Sequence, residues 1–305
     1  MTGRQQSTLA PESKAADDIA DLWWVMFVGS AVVFAVVLAL VVAAVLRRRG
    51  EPARGESRRA LALVLFGGAV VPFVVLVGLF ALVLRTMPST AASDGPAELT
   101  VEVTGRQWFW EVAYPDRDVR TANEIHIPVG TPVQLRVRSR DVIHSFWVPR
   151  LTRKIDMIPG QTNSIVVEAR KAGVYRGQCA EYCGLQHARM AFYVVAELPA
   201  AFRSWLARQA KPPTAPAGEG RQVFLDSGCG GCHRIEETSE GDAGPDLTHF
   251  GSRRTIGAGT LTNTRANLVG WILDPQHAKP GNKMPGTTLS DSQLQALVRY
   301  LRSLD

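Results

Sequence analysis

The chain has 305 residues, of which 46% are apolar, and a formal net charge of +6. That length accommodates more than one domain, and the uneven spread of apolar residues excludes a single soluble one. The map of this positive charge argues against nucleic acid as a partner, because six Arg against two Glu are crowded into residues 47–59 instead of lining a folded face.

Residues 1–21 read as an N-terminal tail. Arg4 and Lys14 are outnumbered there by Glu12, Asp17, Asp18 and Asp21, and the basic start and short apolar core of a cleavable leader are not present. Residues 1–20 are expected to be poorly ordered. Two blocks follow, 22–46 and 60–84, each 25 residues long without a charged side chain. At about 1.5 Å of helical rise per residue, either crosses the roughly 30 Å hydrocarbon core of a bilayer. Residues 22–86 are therefore predicted to form a transmembrane helical hairpin, with Pro72 as a kink in the second helix. The Arg-rich connector is the positive-inside signal, which places the hairpin tip in the cytoplasm and both termini outside.

After a small-residue connector at 87–96, short runs alternate with turns: 99–104, 107–114, 124–128, 132–139, 142–148, 163–169, 173–179 and 190–197. In the fourth run Val133, Leu135 and Val137 face one way while Gln134, Arg136 and Arg138 face the other. Strands at this spacing predict an antiparallel β-sandwich over 95–210, closed by a short helix at 199–209. His126, between Ile125 and Ile127, reads as a strand residue without a metal role.

The stretch Cys179 to Met190, CAEYCGLQHARM, packs two thiols, an imidazole and a thioether into one loop. Sulfur and imidazole select soft ions, and structural zinc sites rarely use Met, so copper is favoured. Two thiolates can each bridge a pair of coppers. The terminal positions then fall to His144 from DVIHSFWVP, His187, Met190 and a backbone carbonyl of the loop. These residues resemble subunit II of the cytochrome c oxidases, whose binuclear CuA centre carries the pattern C-x3-C-x3-H-x2-M after a distant His. The resemblance implies a cupredoxin Greek key in which Cys179 and Cys183 bridge. It implies His144 and Met190 as terminal ligands of one copper, and His187 with the Glu181 carbonyl as those of the other.

Further expectations follow from the same resemblance. Trp108 in GRQWFW matches the aromatic position at which electrons enter. Asp141 and Asp156 match acidic residues near the centre, and the Glu181 side chain matches a ligand to magnesium at the boundary with subunit I. Some relatives carry a carboxylate for proton uptake in the second helix. None occurs between Ala60 and Leu84 here, which argues against that role.

Residues 211–218, KPPTAPAG, read as a Pro-rich linker, and 219–305 as a further domain. Cys229-Gly-Gly-Cys232-His233 is the C-x-x-C-H of covalent c-type haem attachment, with His233 as an iron ligand. For the sixth iron position Met284 in NKMPG is the candidate, since no other Met follows residue 190; His249 and His277 are the alternatives, otherwise polar surface groups. Ser290 with Gln293 forms a capping box that opens a final helix with Leu294, Leu297, Val298 and Leu301 on one face. The expected fold class is thus multi-domain: a two-helix transmembrane hairpin, a cupredoxin-like antiparallel β-sandwich and an all-α cytochrome c domain.

The resemblance implies an electron relay without a catalytic centre of its own. Electrons would pass from the haem c to CuA and on to the membrane-embedded subunit I, where oxygen is reduced to water. The implied partners are subunit I and other oxidase subunits, the membrane, and a soluble cytochrome c or quinol-cytochrome c reductase as donor. The implied location is the bacterial inner membrane, with both soluble domains on the outer, periplasmic side. A linker this short raises the donor's effective concentration to about the millimolar range, so strong mutual attraction between the domains is not required. Residues 95–210 carry 15 basic and 11 acidic side chains, and 219–305 carry nine and ten, a weak complementarity. The alternatives are the CuA-bearing subunit of a nitric oxide reductase and a membrane-anchored copper chaperone. Met190, His144 and the fused haem domain weigh against the chaperone.

Overall fold

A computed structural model describes residues 6–47, 57–90, 98–214 and 218–305. Most of the Arg-rich connector, residues 91–97 and residues 215–217 of the linker lie outside the described residues, so the orientation signal has no structural counterpart. The chain divides into two compact units, residues 17–91 and the remainder.

The first unit is helical. Helix α1 runs Lys14–Leu46, α2 runs Ser57–Leu65, and a π-helical turn Phe66–Val70 leads into α3, Val71–Thr90. Both predicted spans are helices long and apolar enough to cross a bilayer. Their Val, Leu and Phe side chains point outward, from Val25 to Leu46 and from Leu61 to Leu84. Water would penalise such a surface; lipid does not. The wide turn lies directly before Pro72, whose ring clashes with the carbonyl four residues back and whose missing N–H breaks the regular ladder. The expected kink is thus taken up as a widened turn.

The tail departs from expectation. Residues 6–13 are not loose: Glu12 N–H donates to the Arg150 carbonyl at 2.8 Å, Arg170 N–H to the Glu12 carbonyl at 2.9 Å, and the Glu12 carboxylate lies 3.1 Å from Arg150. Helix α1 also begins at Lys14 rather than 22, because buried Ser13 accepts the Ala16 N–H at 3.0 Å and caps it. The same hydroxyl donates to the Leu151 carbonyl at 2.6 Å. Polar composition suggested disorder, but backbone pairing with a distant segment overrides it.

The second unit holds a β-sandwich of two five-stranded sheets. In the first the order is β3 (Val119–Ala122), β2 (Phe109–Tyr114), β1 (Leu99–Arg106), β5 (Val133–Ser139), β8 (Asn163–Val167). In the second it is β4 (Glu124–Pro128), β10 (Ala191–Glu197), β9 (Gly173–Cys179), β6 (His144–Trp147), β7 (Ile155–Met157). The predicted sandwich stands, but it is not wholly antiparallel: β1 pairs with β5, and β4 with β10, in parallel. Each of those pairs is separated in sequence by strands placed elsewhere, so the chain returns in the same direction. Strands β3 and β7 are additions to the predicted set. Alternation along β5 buries Val133, Leu135 and Val137 as expected. Trp110, Phe146 and Phe192 meet at the centre with ring centroids 4.7–6.2 Å apart, each worth about 1.5–3 kcal/mol of burial. Helix α4 (Pro199–Gln209) closes one end with Phe202, Trp205 and Leu206. His126 stacks on Trp205 at 3.9 Å, between Glu124 and Glu197.

The C-terminal region contains helices α5 (Glu219–Asp226), α6 (Arg265–Leu273), α7 (Pro275–Ala278) and α8 (Asp291–Arg302). Ser290 and Gln293 form the predicted capping box, and Leu294, Leu297, Val298 and Leu301 are buried. Terminal helices α5 and α8 meet through Phe224 and Tyr300, 6.1 Å between rings. The region is not strictly all-α: residues 234–235 pair with 239–240, and 255–256 with 261–262, as small β-ladders fixed by tight turns. It packs directly on the sandwich. Arg254 N–H donates to Glu124 at 2.6 Å, Ala191 N–H to the Ala258 carbonyl at 3.0 Å, and His249 is bonded to the Gln209 carbonyl at 3.1 Å. His249 is accordingly buried at this junction, not a surface group.

Candidate functional site

The late loop and one early strand bring six donors together. Strand β6 opens with His144, β9 ends with Cys179, and the chain between β9 and β10 carries the rest. Cys179 Sγ lies 3.8 Å from Cys183 Sγ and 3.8 Å from His144 Nδ1. Cys183 Sγ lies 3.8 Å from both His187 Nδ1 and Met190 Sδ. The Glu181 carbonyl is 3.1 Å from Cys179 Sγ. Two ligands held about 2.0–2.3 Å from one tetrahedral ion stand about 3.3–3.8 Å apart. The spacing of His144, Cys179 and Cys183 therefore fits a soft metal ion, with His187 and Met190 standing beside Cys183.

Burial and hydrogen bonding set the donors' chemistry. His144, Cys179, Cys183 and Met190 are buried, while His187 is half-exposed. The Cys183 thiol hydrogen bond pulls Cys179 well below the usual thiol range, and Cys183 is pushed up in return. The pair thus holds one thiolate readily in advance of metal. His144 feels burial, which lowers its pKa, but the Cys179 and Asp141 hydrogen bonds outweigh it and the net shift is upward. Its Nε2 is 2.8 Å from Asp141 Oδ1, which leaves Nδ1 to face the sulfur. Asp141 is itself oriented by the Gln107 N–H at 2.7 Å and the Val142 N–H at 2.8 Å. A β-carbon on Gly105 would stand 2.8 Å from His144 Cδ2, so the close approach of β1 to this ring requires glycine. Asp156 is different: its side chain is exposed on β7, and its carbonyl accepts from Asn163 at 2.6 Å.

Trp108 lies in the β1–β2 turn rather than on a strand, half-buried. Its indole N–H donates to the Cys183 carbonyl at 3.0 Å, and Gln107 Nε2 donates to the same oxygen at 2.9 Å. No local pattern marked what meets the other face of this tryptophan. Lys279 Nζ donates to the Trp108 carbonyl at 2.9 Å, and Lys283 Nζ sits 5.7 Å from the ring centroid.

In the C-terminal region Cys229, Cys232 and His233 sit on a single tight turn, with the His233 N–H donating to the Cys229 carbonyl at 3.0 Å. His233 Nδ1 donates to the Pro245 carbonyl at 2.8 Å, which fixes the tautomer and leaves Nε2 for iron. Burial lowers the His233 pKa and keeps the ring neutral. Gly244 lies so close that a β-carbon there would reach 2.6 Å from the ring. Arg253, also buried, has an Nε without a protein partner among the described residues; the carboxylates of a haem suit such a donor. These residues fit covalent haem. Met284 is half-buried on the loop after α7, its N–H bonded to Asn282 Oδ1 at 2.8 Å. His277 is exposed with its backbone capped by Asp274.

Known proteins share this arrangement of parts. Residues 117–197 match the family profile described as cytochrome c oxidase subunit II, periplasmic domain, and residues 217–305 match that of cytochrome c. The chain is 37% identical over 293 residues to cytochrome c oxidase subunit 2 of Alkalihalophilus pseudofirmus, covering 92% of this chain and 84% of that one. It is 36% identical over 222 residues to the protein of the same name from a Bacillus species, strain PS3, covering 68% of this chain and 62% of that one. A solved structure, the periplasmic domain of subunit II of cytochrome oxidase of Bradyrhizobium japonicum, aligns with a TM-score of 0.37 at 34% identity, covering 38% of this chain and 96% of that one.

Proposed function

The chain belongs to the cytochrome c oxidase subunit II family, with a cytochrome c domain at its C-terminal end, and on that premise we propose that it relays electrons from its own haem c through a CuA centre to subunit I. A haem and a thiolate-bridged copper pair, when bound, supply reversible one-electron chemistry. The chain's residues supply everything else. Cys179 and Cys183, with His144, Met190, His187 and the Glu181 carbonyl, would hold the copper. Asp141 holds His144 in the ligating tautomer, and the apolar wall of Trp110, Phe146 and Phe192 keeps water away from the sulfurs. Cys229 and Cys232 would anchor the haem covalently, and His233 Nε2 and Met284 would ligate its iron. Trp108, bonded to the Cys183 carbonyl, is the point at which electrons enter the copper loop.

The protein is a membrane protein with a periplasmic domain. The hairpin crosses the bilayer twice with its tip in the cytoplasm, and both soluble parts lie outside. The Glu181 side chain faces subunit I and shares a magnesium ion with it, and the electron donor is a soluble cytochrome c or a quinol-cytochrome c reductase. The observation that carries this reading is the convergence of His144, Cys179, Cys183, His187 and Met190 around shared sulfur at 3.8 Å.

The test is metal analysis and low-temperature EPR on the full chain in detergent. The expected result is two coppers and one haem per chain, with the hyperfine pattern of an unpaired electron shared by two coppers. A single copper with a mononuclear spectrum, bound zinc, or a haem that leaves on acid-acetone extraction would overturn it.

A further inference from the structure

Two arms of the C-terminal domain bond to the sandwich at and around the β1–β2 turn that carries Trp108. One leaves the haem-attachment turn: Asp242, next to Gly241 packed on the Cys232 backbone, lies 3.0 Å from Arg140 and 3.5 Å from Arg106, and its carbonyl accepts from Arg106. The other is the segment leading into Met284. Its Ala278 carbonyl accepts from Arg189 at 3.1 Å, its Pro280 carbonyl accepts from Gln186, and Lys283 donates to Gln107 at 3.1 Å. At the centre of this second arm is Lys279. Its head group donates at 2.9 Å to the Trp108 carbonyl, in the sandwich, and at 3.2 Å to the Gly257 carbonyl, in the C-terminal domain.

Lys279 is 2% exposed. Two neutral carbonyls are poor compensation for taking an ammonium out of water. Burial accordingly pushes its pKa down to about 7, against a partial upward pull from Cys183. A residue chosen for stability alone at this position would be apolar. What the lysine provides is a directional link between two domains at the carbonyl of the residue that also touches the copper loop.

We infer that Lys279 is a positioning residue for electron transfer, fixing the haem domain against the Trp108 turn so that the electron given up by the reduced haem domain is taken up by the copper loop along one short route. The inference rests on the relay reading above. Electron transfer slows as donor and acceptor separate, so loosening this link has a kinetic signature without a change at either metal.

The experiment uses the assembled oxidase carrying Lys279→Met, which keeps the length and apolar stem but removes the donors. Haem reduction by an external reductant and the later reduction of copper are followed separately by rapid-mixing absorption. Haem reduction, haem potential and copper spectrum are expected to match the unmodified protein, with haem-to-copper transfer slowed tenfold or more. Transfer at the unmodified rate, or a lower melting temperature with the folded fraction transferring normally, would overturn the proposal. If Lys279→Met does not assemble, Lys283→Met combined with Asp242→Asn loosens both arms from the surface. A slowing of threefold or more then supports the gripping of Trp108, and an unchanged rate overturns it. Failure of copper to follow haem in the unmodified oxidase would instead strike at the relay reading itself.

Discussion

The copper loop and the haem turn solve the same problem, presenting donors to a metal, with different support. The proposed copper donors come from one sandwich, His144 and Cys179 on strands and the rest on the β9–β10 loop, and their partners, Asp141, Gly105 and Trp110, belong to the same sandwich. On the haem side, His233 is held locally by Pro245, but Met284 follows a segment pinned to the other domain through Ala278, Lys279, Pro280 and Lys283. The loop with the proposed copper donors is tied to the same segment through Gln186 and Arg189. The donors themselves are oriented by neighbours of their own domain, Asp141 for His144 and Asn282 for Met284, so each proposed site can be perturbed alone.

The most severe way to break this contrast is Cys179→Ser. One bridging sulfur is lost, and electron transfer to copper is expected to fall at least about 100-fold with loss of the shared-electron EPR pattern, while the haem absorption stays as it was. A haem spectrum that changed as well would show that the copper site is not self-contained. Asp141→Asn should act more mildly, weakening copper affinity by about 10–100-fold by releasing His144 from its ligating tautomer; competition with a copper chelator measures it. Met284→Ala is expected to lower the haem potential and slow electron uptake, with the copper spectrum unchanged. Redox titration checks it, and loss of the copper signal in that variant would remove Met284 from the iron.

The smallest effect concerns the domain junction. Burial lowers the His126 pKa, but hydrogen bonds to Glu124 and Glu197 outweigh it and the net shift is upward. A raised value means that the folded state binds the proton more tightly than the unfolded one. The resulting stability is fully present below the unfolded value of about 6.5 and is lost as pH rises through the folded value. Melting curves of the full chain should fall by a few degrees from pH 6 to pH 8.5. His126→Gln should flatten that dependence, and an equal slope in the variant would rule the histidine out as its source.

The sequence by itself determined the family and the parts. Two uncharged blocks of 25 residues could only be buried in lipid or in a core, and the sulfur, imidazole and C-x-x-C-H spacings are local enough to be read without coordinates. The capping box at Ser290 and the alternation along β5 are of the same kind, since each depends on residues within one or two turns. Tertiary structure decided what depends on distant pairs. The parallel pairing of β1 with β5, the docking of residues 6–13 on the sandwich, the burial of His249 and the link from Lys279 to Trp108 all join segments far apart in the chain. A polar tail, a histidine or a lysine in a turn carries no local mark of such a fate, because burial is set by whatever surface arrives from elsewhere, and that arrival is written in no single stretch.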